Sequence, residues 1–281
     1  MSSTLLHSRE IVVTPHWTDL LRGLEDLGST VVAFSGGVDS TLLLKAARDV
    51  LGDRAIAGLA VSPSLSPVER DEARALAALI GAELVEVATH EGDDAVYRAN
   101  DGLRCYACKK HLFLELEPLR RERGLAHVAY GAITDDLGDD RPGMRAADEA
   151  RAVAPLLLAG LSKVEVREAS RRLGLPTWDK PAMACLASRV PRGTTVTPER
   201  LELVDRAEQA VKKLGFRQVR VRHHGELGRV EIGQDELARA LREHAAVEAA
   251  VTSAGFPSAE VDPEGYGRRP IAGESPPAPA R

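Results

Sequence analysis

The residues best placed to do chemistry fall into two sets. The first is SGGVDS, that is Ser35, Gly36, Gly37, Val38, Asp39 and Ser40, set between an apolar run and a helical one. Paired glycines open backbone dihedrals closed to other residues and let the main chain approach an anion closely. Ser35 and Ser40 can donate hydroxyl hydrogens to phosphate oxygens, and a turn that opens a helix aims its free N–H groups the same way. Asp39 would repel a phosphate unless a divalent cation such as Mg2+ stood between them. The pattern lacks both the lysine of the G-x-x-x-x-G-K-S/T loop and the spacing of G-x-G-x-x-G, so it is a phosphate turn of another kind.

The second set is the chain's three cysteines: Cys105 and Cys108 in RCYACKK, and Cys185 in AMACLASR. Three cannot all pair within one chain. A CxxC can be a redox pair, half of a zinc site or half of an iron–sulfur site. With Cys185 added, three thiolates can hold three irons of a 4Fe–4S cube and leave the fourth iron open. Polar and basic neighbours favour the thiolate of Cys185.

These residues need elements to position them. VVAF, AIAGLAV (55–61), ELVEVAT (83–89) and HVAYGAI (127–133) read as strands without polar alternation, each flanked by helical patterns such as TLLLKAARDVLG, PVERDEARALAALIG and HLFLELEPLRRERG. Strands of that kind suit burial on both faces of a parallel sheet, and strand-helix alternation implies an open α/β sheet with right-handed crossovers. The expected division is residues 1–190 as this α/β domain, 191–268 as a smaller α+β domain, and 269–281, ending ESPPAPAR, as a disordered tail. In the smaller domain a helix over PERLELVDRAEQAVKKLG, strands QVRVRHHG and RVEIG, one long helix over DELARALREHAAVEAAVTSAG and a last strand near AEVDPEGY are expected.

Charge and composition narrow the function classes. Among 281 residues, 37 basic and 42 acidic side chains leave −5, which argues against a broad, sequence-independent nucleic-acid contact. No apolar run reaches the length of a membrane span. MSSTLLHSREIVV has no basic stretch leading into an apolar core. The expectation is a cytoplasmic protein with neither a membrane nor a nucleic-acid partner, its cysteines kept as thiols.

SGGVDS matches the SGGxDS loop of the N-type ATP pyrophosphatases, a resemblance that implies cleavage of ATP between its α and β phosphates and a sheet of the adenine nucleotide alpha hydrolase-like type. It implies that Ala60, Val61 and Ser62 cradle adenine, and that Gly131, Thr134, Asp135 and Asp136 lie beside the phosphate turn, Thr134 standing where many relatives carry asparagine. With RCYACKK, GAITDDLGDDRPG, APLLLAGLSKVEVREASRRLGLPTWDKPAMACLASR and VRVRHHG in order, the chain resembles the LarE family of ATP-dependent sulfur transferases over roughly residues 15 to 265. That resemblance implies adenylation of a pyridinium mononucleotide carboxylate, with Asp39 and Cys185 at the chemistry, and sulfur delivered either by a sacrificed cysteine or from a three-cysteine 4Fe–4S cube. Cys105, Cys108 and Cys185 match the second route. It further implies that Ser188, Arg189, Arg220 and Arg222 hold the substrate phosphate, and that the chain works as a homo-oligomer, up to a hexamer. Glu208 reads either as a metal ligand or as an acid displayed on a surface helix; His223 and His224 carry no assignment. Ser162 and Glu165 form a capping box without catalytic role, and Arg141, Pro142 and Gly143 shape the site wall or a proline turn. The competing readings are a tRNA thiolase of the same pyrophosphatase class and a nucleotide-binding module of the universal-stress type.

Overall fold

The apolar strands of the first half lack polar alternation because both of their faces are covered. The computed structural model describes residues 14–137, 142–181 and 184–267. The expected tail and Arg141 lie outside the described residues. Within them the chain divides into two units, one running to Cys185 and adding Arg192–Pro198, the other taking Leu186–Pro191 and everything from Glu199.

The first unit runs α1 (Pro15–Leu27), β1 (Thr30–Ala33), α2 (Val38–Leu51), β2 (Ala55–Val61), α3 (Pro67–Ile80), β3 (Leu84–Ala88), α4 (Ala95–Ala99), α5 (Arg104–Glu122), β4 (His127–Ala129), α6 (Pro142–Glu149), α7 (Pro155–Leu158) and α8 (Lys163–Arg172). Its sheet has the order β3-β2-β1-β4, and every pair is parallel. The period of two along a strand sends neighbours to opposite faces. Val32, Ala57 and Leu59 pack with Trp17, Leu43, Leu76 and Val166, whereas Val31 and Ile56 pack with Phe113, Leu116 and Leu119. The open α/β sheet expected from the sequence is present, with α1, α2, α3 and α8 on one face and α5 on the other. A Cβ at Gly58 would overlap the Leu116 side chain, so the missing side chain lets α5 lie close against β2.

Three boundaries differ from expectation, and two of them matter to the site. Helix α2 starts inside the SGGVDS turn, at Val38. Helix α5 starts at Arg104, so RCYACKK forms its opening turns ahead of the expected HLFLELEPLRRERG. Strand β4 stops at Ala129, and on its side away from β1 the Tyr130 N–H donates to the Val153 carbonyl at 2.9 Å.

The second unit carries α9 (Pro198–Lys212), β5 (Val219–His224), β6 (Leu227–Ile232), α10 (Gln234–Arg242), α11 (His244–Ser253) and β7 (Ser258–Val261). Its sheet order is β5-β6-β7, with β5 and β6 antiparallel and β6 and β7 parallel. The single helix expected over residues 235–255 is broken at Glu243, which has φ −100° and ψ 17°. The break lets α10 rest on β6 through Ala240 while α11 buries Val247 and Val251 beside Gly228, where a Cβ would stand 2.7 Å from Val251. Among the described residues no helix is long and apolar enough to cross a membrane.

Candidate active site

The phosphate turn follows the carboxyl end of β1, where an open parallel sheet presents its ligand sites. Gly36 takes φ +69°, a conformation that disfavours any side chain, and a Cβ there would come within 3.3 Å of Ala73. Gly37 is the N-cap of α2. The Ser40 hydroxyl donates to the Gly37 carbonyl at 3.2 Å and accepts the Ser35 N–H at 3.2 Å, and the two serine hydroxyls lie 3.1 Å apart. The turn is therefore preformed, with both hydroxyls gathered at the helix start beside the backbone of Val38 and Asp39. Gly131 backs it closely, since a Cβ there would stand 3.1 Å from the Ser40 nitrogen and 3.2 Å from the Asp39 carbonyl carbon.

Asp39 has a partner that sequence reasoning missed. The Lys163 ammonium reaches both Asp39 oxygens at 2.8 Å, and the Lys163 backbone N–H donates to Asp135 Oδ2 at 2.8 Å. The expected capping box is present: Ser162 Oγ accepts the Glu165 N–H, and the Glu165 carboxylate accepts the Ser162 N–H. That box fixes the first turn of α8 and so aims Lys163. The signal in the sequence was the lysine inside SKVE, hidden because the same four residues are explained by capping alone. Lys180 donates to the Gly36 carbonyl at 3.3 Å and to Glu72 at 2.8 Å, closing the turn from behind.

The remaining strand-end residues are placed as follows. Ala60 and Val61 are the last two residues of β2, and Ser62, just beyond them, accepts the Ser64 N–H at 3.2 Å. The Thr134 hydroxyl is turned to the Leu161 carbonyl at 3.1 Å, and Asp136 accepts the Ile133 N–H at 3.0 Å. Gly143 lies against the Lys109 side chain, where a Cβ would approach within 3.1 Å of Cγ.

Cys105 and Cys108 lie on the first two turns of α5, three residues apart and so on one helix face. All three cysteines are thiols with no disulfide among them. Burial pushes the Cys108 thiol up to about 12, and the charges of Cys185, Glu91 and Cys105 push the same way against Lys109. The Tyr97 phenol is raised by burial and by Cys185, Cys108 and Glu91; its hydroxyl meets Ser64 Oγ in a very short contact. Lys109 stands over the rings of Tyr130 and Phe113, 5.2 and 5.9 Å from their centroids, and burial lowers its pKa.

Among the described residues no three His, Cys, Asp or Glu side chains could share one metal ion. A single zinc requires every thiolate within about 2.3 Å of one point. A cube gives each thiolate an iron of its own and so spreads the sulfurs farther apart. Free thiols at Cys105, Cys108 and Cys185 are the donor type that the irons of such a cube take. Glu91 is 3% exposed, and its Oε2 has no hydrogen-bond partner among the described residues.

In the second unit Arg189 is 1% exposed, and its fork closes on Glu208 at 2.7 and 3.1 Å. Glu208 also accepts the Val221 N–H at 3.0 Å and is itself buried, which overturns the reading of it as a displayed surface acid. Arg189 donates further to Ser188 Oγ at 3.0 Å, and Arg222 donates to the Ser188 carbonyl at 2.8 Å and to Glu231. Arg220, two residues from Arg222 on β5, lies over Tyr266 at 5.4 Å; burial, then the neighbouring Arg189, lowers its pKa. Ser188, Arg189, Arg220 and Arg222 thus form one connected basic group. His223 is a core residue, edge-on to Phe256 at 5.5 Å, while His224 ends the strand.

No family model matches the chain. An uncharacterised protein of Synechocystis is 44% identical over 243 residues, covering 86% of this chain and 91% of its own. The pyridinium-3,5-bisthiocarboxylic acid mononucleotide synthase of Lactiplantibacillus plantarum is 36% identical over 248 residues, covering 88% of this chain and 90% of its own. One component of the glutamine-hydrolysing GMP synthase of Archaeoglobus fulgidus is 26% identical over 201 residues, 66% of this chain and 65% of its own.

Proposed function

The chain belongs to the family of pyridinium-3,5-bisthiocarboxylic acid mononucleotide synthases, the LarE sulfur transferases, and from that premise we propose that it uses ATP to convert a carboxylate of pyridinium-3,5-biscarboxylic acid mononucleotide into a thiocarboxylate, a step toward the nickel-pincer cofactor of lactate racemase. A substrate carboxylate oxygen attacks the α phosphorus of ATP. The bond from that phosphorus to the bridging oxygen of the β phosphate breaks, and pyrophosphate leaves into the turn of Ser35, Gly36, Gly37, Val38, Asp39 and Ser40. Asp39 would hold Mg2+, which when bound offsets the phosphate charge, and Lys163, paired with Asp39, carries the ammonium that would donate to the phosphate oxygens. Ala60, Val61 and Ser62 line the adenine, while Gly131, Thr134 and Asp135 support the turn from the neighbouring strand end.

Adenylation converts a poor leaving group into a good one, so that sulfur can displace AMP at the acyl carbon. Cys105, Cys108 and Cys185 would hold a 4Fe–4S cube, which when bound supplies an expendable sulfide from the iron that no cysteine ligates. Ser188, Arg189, Arg220 and Arg222 receive the phosphate of the substrate itself, for which guanidinium forks are suited.

The observation that carries this reading is the preformed phosphate turn with its own lysine, in the same unit as three free cysteines. Incubation of anaerobically reconstituted protein with ATP, Mg2+ and the pyridinium mononucleotide, followed by mass spectrometry, is expected to show AMP, pyrophosphate and a product in which one oxygen is replaced by sulfur. Absence of pyrophosphate release would overturn the proposal. A metal-free protein that turns over once and leaves residue 185 lighter by H2S would assign the sulfur to Cys185 and overturn the cube.

A further inference from the structure

We propose that Lys180 is a positioning residue of the phosphate turn, holding the peptide between Gly36 and Gly37 with its carbonyl turned back and its N–H turned into the cup. The proposal rests on the reading of Ser35 to Ser40 as a pyrophosphate site and goes beyond it by naming what keeps that site in its binding form. A trans peptide is planar, so its C=O and N–H point in opposite directions, and among the described residues no peptide is cis. Both ends of this one are tied. The Lys180 ammonium donates to the Gly36 carbonyl at 3.3 Å, and the Gly37 N–H donates to Ser35 Oγ at 3.3 Å, on the side where the Ser35 and Ser40 hydroxyls meet. A peptide flanked by two glycines needs such a tie, because no Cβ on either side resists its rotation. Rotated, it would offer an incoming anion a carbonyl oxygen in place of a donor.

Lys180 is itself held from two helices. Its ammonium meets Glu72 of α3 at 2.8 Å. The next residue of that helix, Ala73, is the one that leaves only 3.3 Å for a Cβ at Gly36, so α3 both backs the turn and anchors the lysine that ties it. From α8 the Arg167 guanidinium donates to the Trp178 carbonyl at 2.7 Å and to the Lys180 carbonyl at 2.9 Å, while the Lys180 N–H donates to the Thr177 carbonyl at 3.0 Å. A lysine that served only solubility would need none of these anchors. The first turn of α8 aims Lys163 at Asp39, and a later residue of the same helix fixes the backbone that carries Lys180 to Gly36. The two lysines divide the work: Lys163 offers charge to the phosphates, and Lys180 acts on them only through the main chain.

The test is calorimetric titration of inorganic pyrophosphate, with Mg2+ present, into wild type, Lys180→Met, Lys180→Arg and Glu72→Ala, with KM for ATP and kcat of pyrophosphate release measured beside it. When the binding form of a turn is only a fraction of the ensemble, apparent affinity falls by that fraction, while the bound ligand restores the peptide and the later rate is kept. Lys180→Met is therefore expected to weaken pyrophosphate about tenfold, to raise KM for ATP by about the same factor and to leave kcat within about twofold. Lys180→Arg keeps a donor for the Gly36 carbonyl and should recover most of the loss. Glu72→Ala separates position from charge. Removing an acid beside the turn would tighten an anion if Lys180 acted through its charge, whereas loss of the anchor should weaken it several-fold. The Glu72 side chain is half exposed, so this variant is expected to fold and to melt close to wild type. Tighter pyrophosphate binding in Glu72→Ala, a fall in kcat with KM unchanged in Lys180→Met, or wild-type behaviour in both overturns the proposal and leaves the turn's reading intact. Should Lys180→Met fail to fold, the sign in Glu72→Ala decides by itself; wild-type protein that binds no pyrophosphate overturns both.

Discussion

Lys163 shows how a single side chain can belong to two accounts at once. It follows the cap of α8 and neutralises Asp39 through two 2.8 Å contacts, yet its side chain is about a third exposed and can be redirected. Lys163→Met is expected to lower the rate of pyrophosphate release about a hundredfold, the usual scale for one positioned electrostatic donor, with little change in melting temperature because the pair is partly solvated. The Arg189–Glu208 pair behaves in the opposite way. Both side chains are buried, and Glu208 also satisfies the Val221 N–H. Glu208→Ala should cost about 3–5 kcal/mol in urea denaturation, since it strands a buried guanidinium.

Element by element, the molecule depends on small devices at strand edges and helix starts. Edge strand β3 is fastened to α3 through Glu86, which accepts from Arg74 Nε at 2.7 Å and from Arg70 Nε at 3.0 Å. Those hydrogen bonds hold the Glu86 carboxyl at about 2, against an ordinary 4.5. A depressed folded-state value means that the stabilisation is full above pH 4.5 and is lost as pH falls toward 2. Glu86→Gln is therefore expected to melt below wild type at neutral pH and to lose less between pH 4.5 and 2, checked by thermal melts across that range. The strands and the phosphate turn were legible because burial on both faces and paired glycines each leave a mark in a single stretch of chain. The Lys163–Asp39 pair was not, because it joins residues 124 positions apart. Nor was the opening of α5, where RCYACKK has no capping residue and its Cys, Tyr and Ala carry no period. The break at Glu243 escaped for a related reason: nothing in REHAAVE interrupts a helix locally, and only the separate packing of α10 and α11 requires it.

For the whole molecule, charge separates the sulfur transferase reading from a tRNA thiolase. With 42 acidic against 37 basic side chains, the net charge of −5 supplies no general attraction for a polynucleotide. Purified protein is expected to carry no RNA, and tRNA should not be retained in a filter-binding assay at physiological salt; retention that weakens steeply with salt would favour the thiolase. The Lys163–Asp39 contact has one more consequence, for the order in which ligands arrive. While lysine and aspartate cancel each other, neither a bare triphosphate nor a bare cation gains much by entering, and each becomes welcome once the other has come. Titration calorimetry should therefore find ATP and Mg2+ thermodynamically linked, each tightening the other by one common factor, and Lys163→Met should shrink that factor.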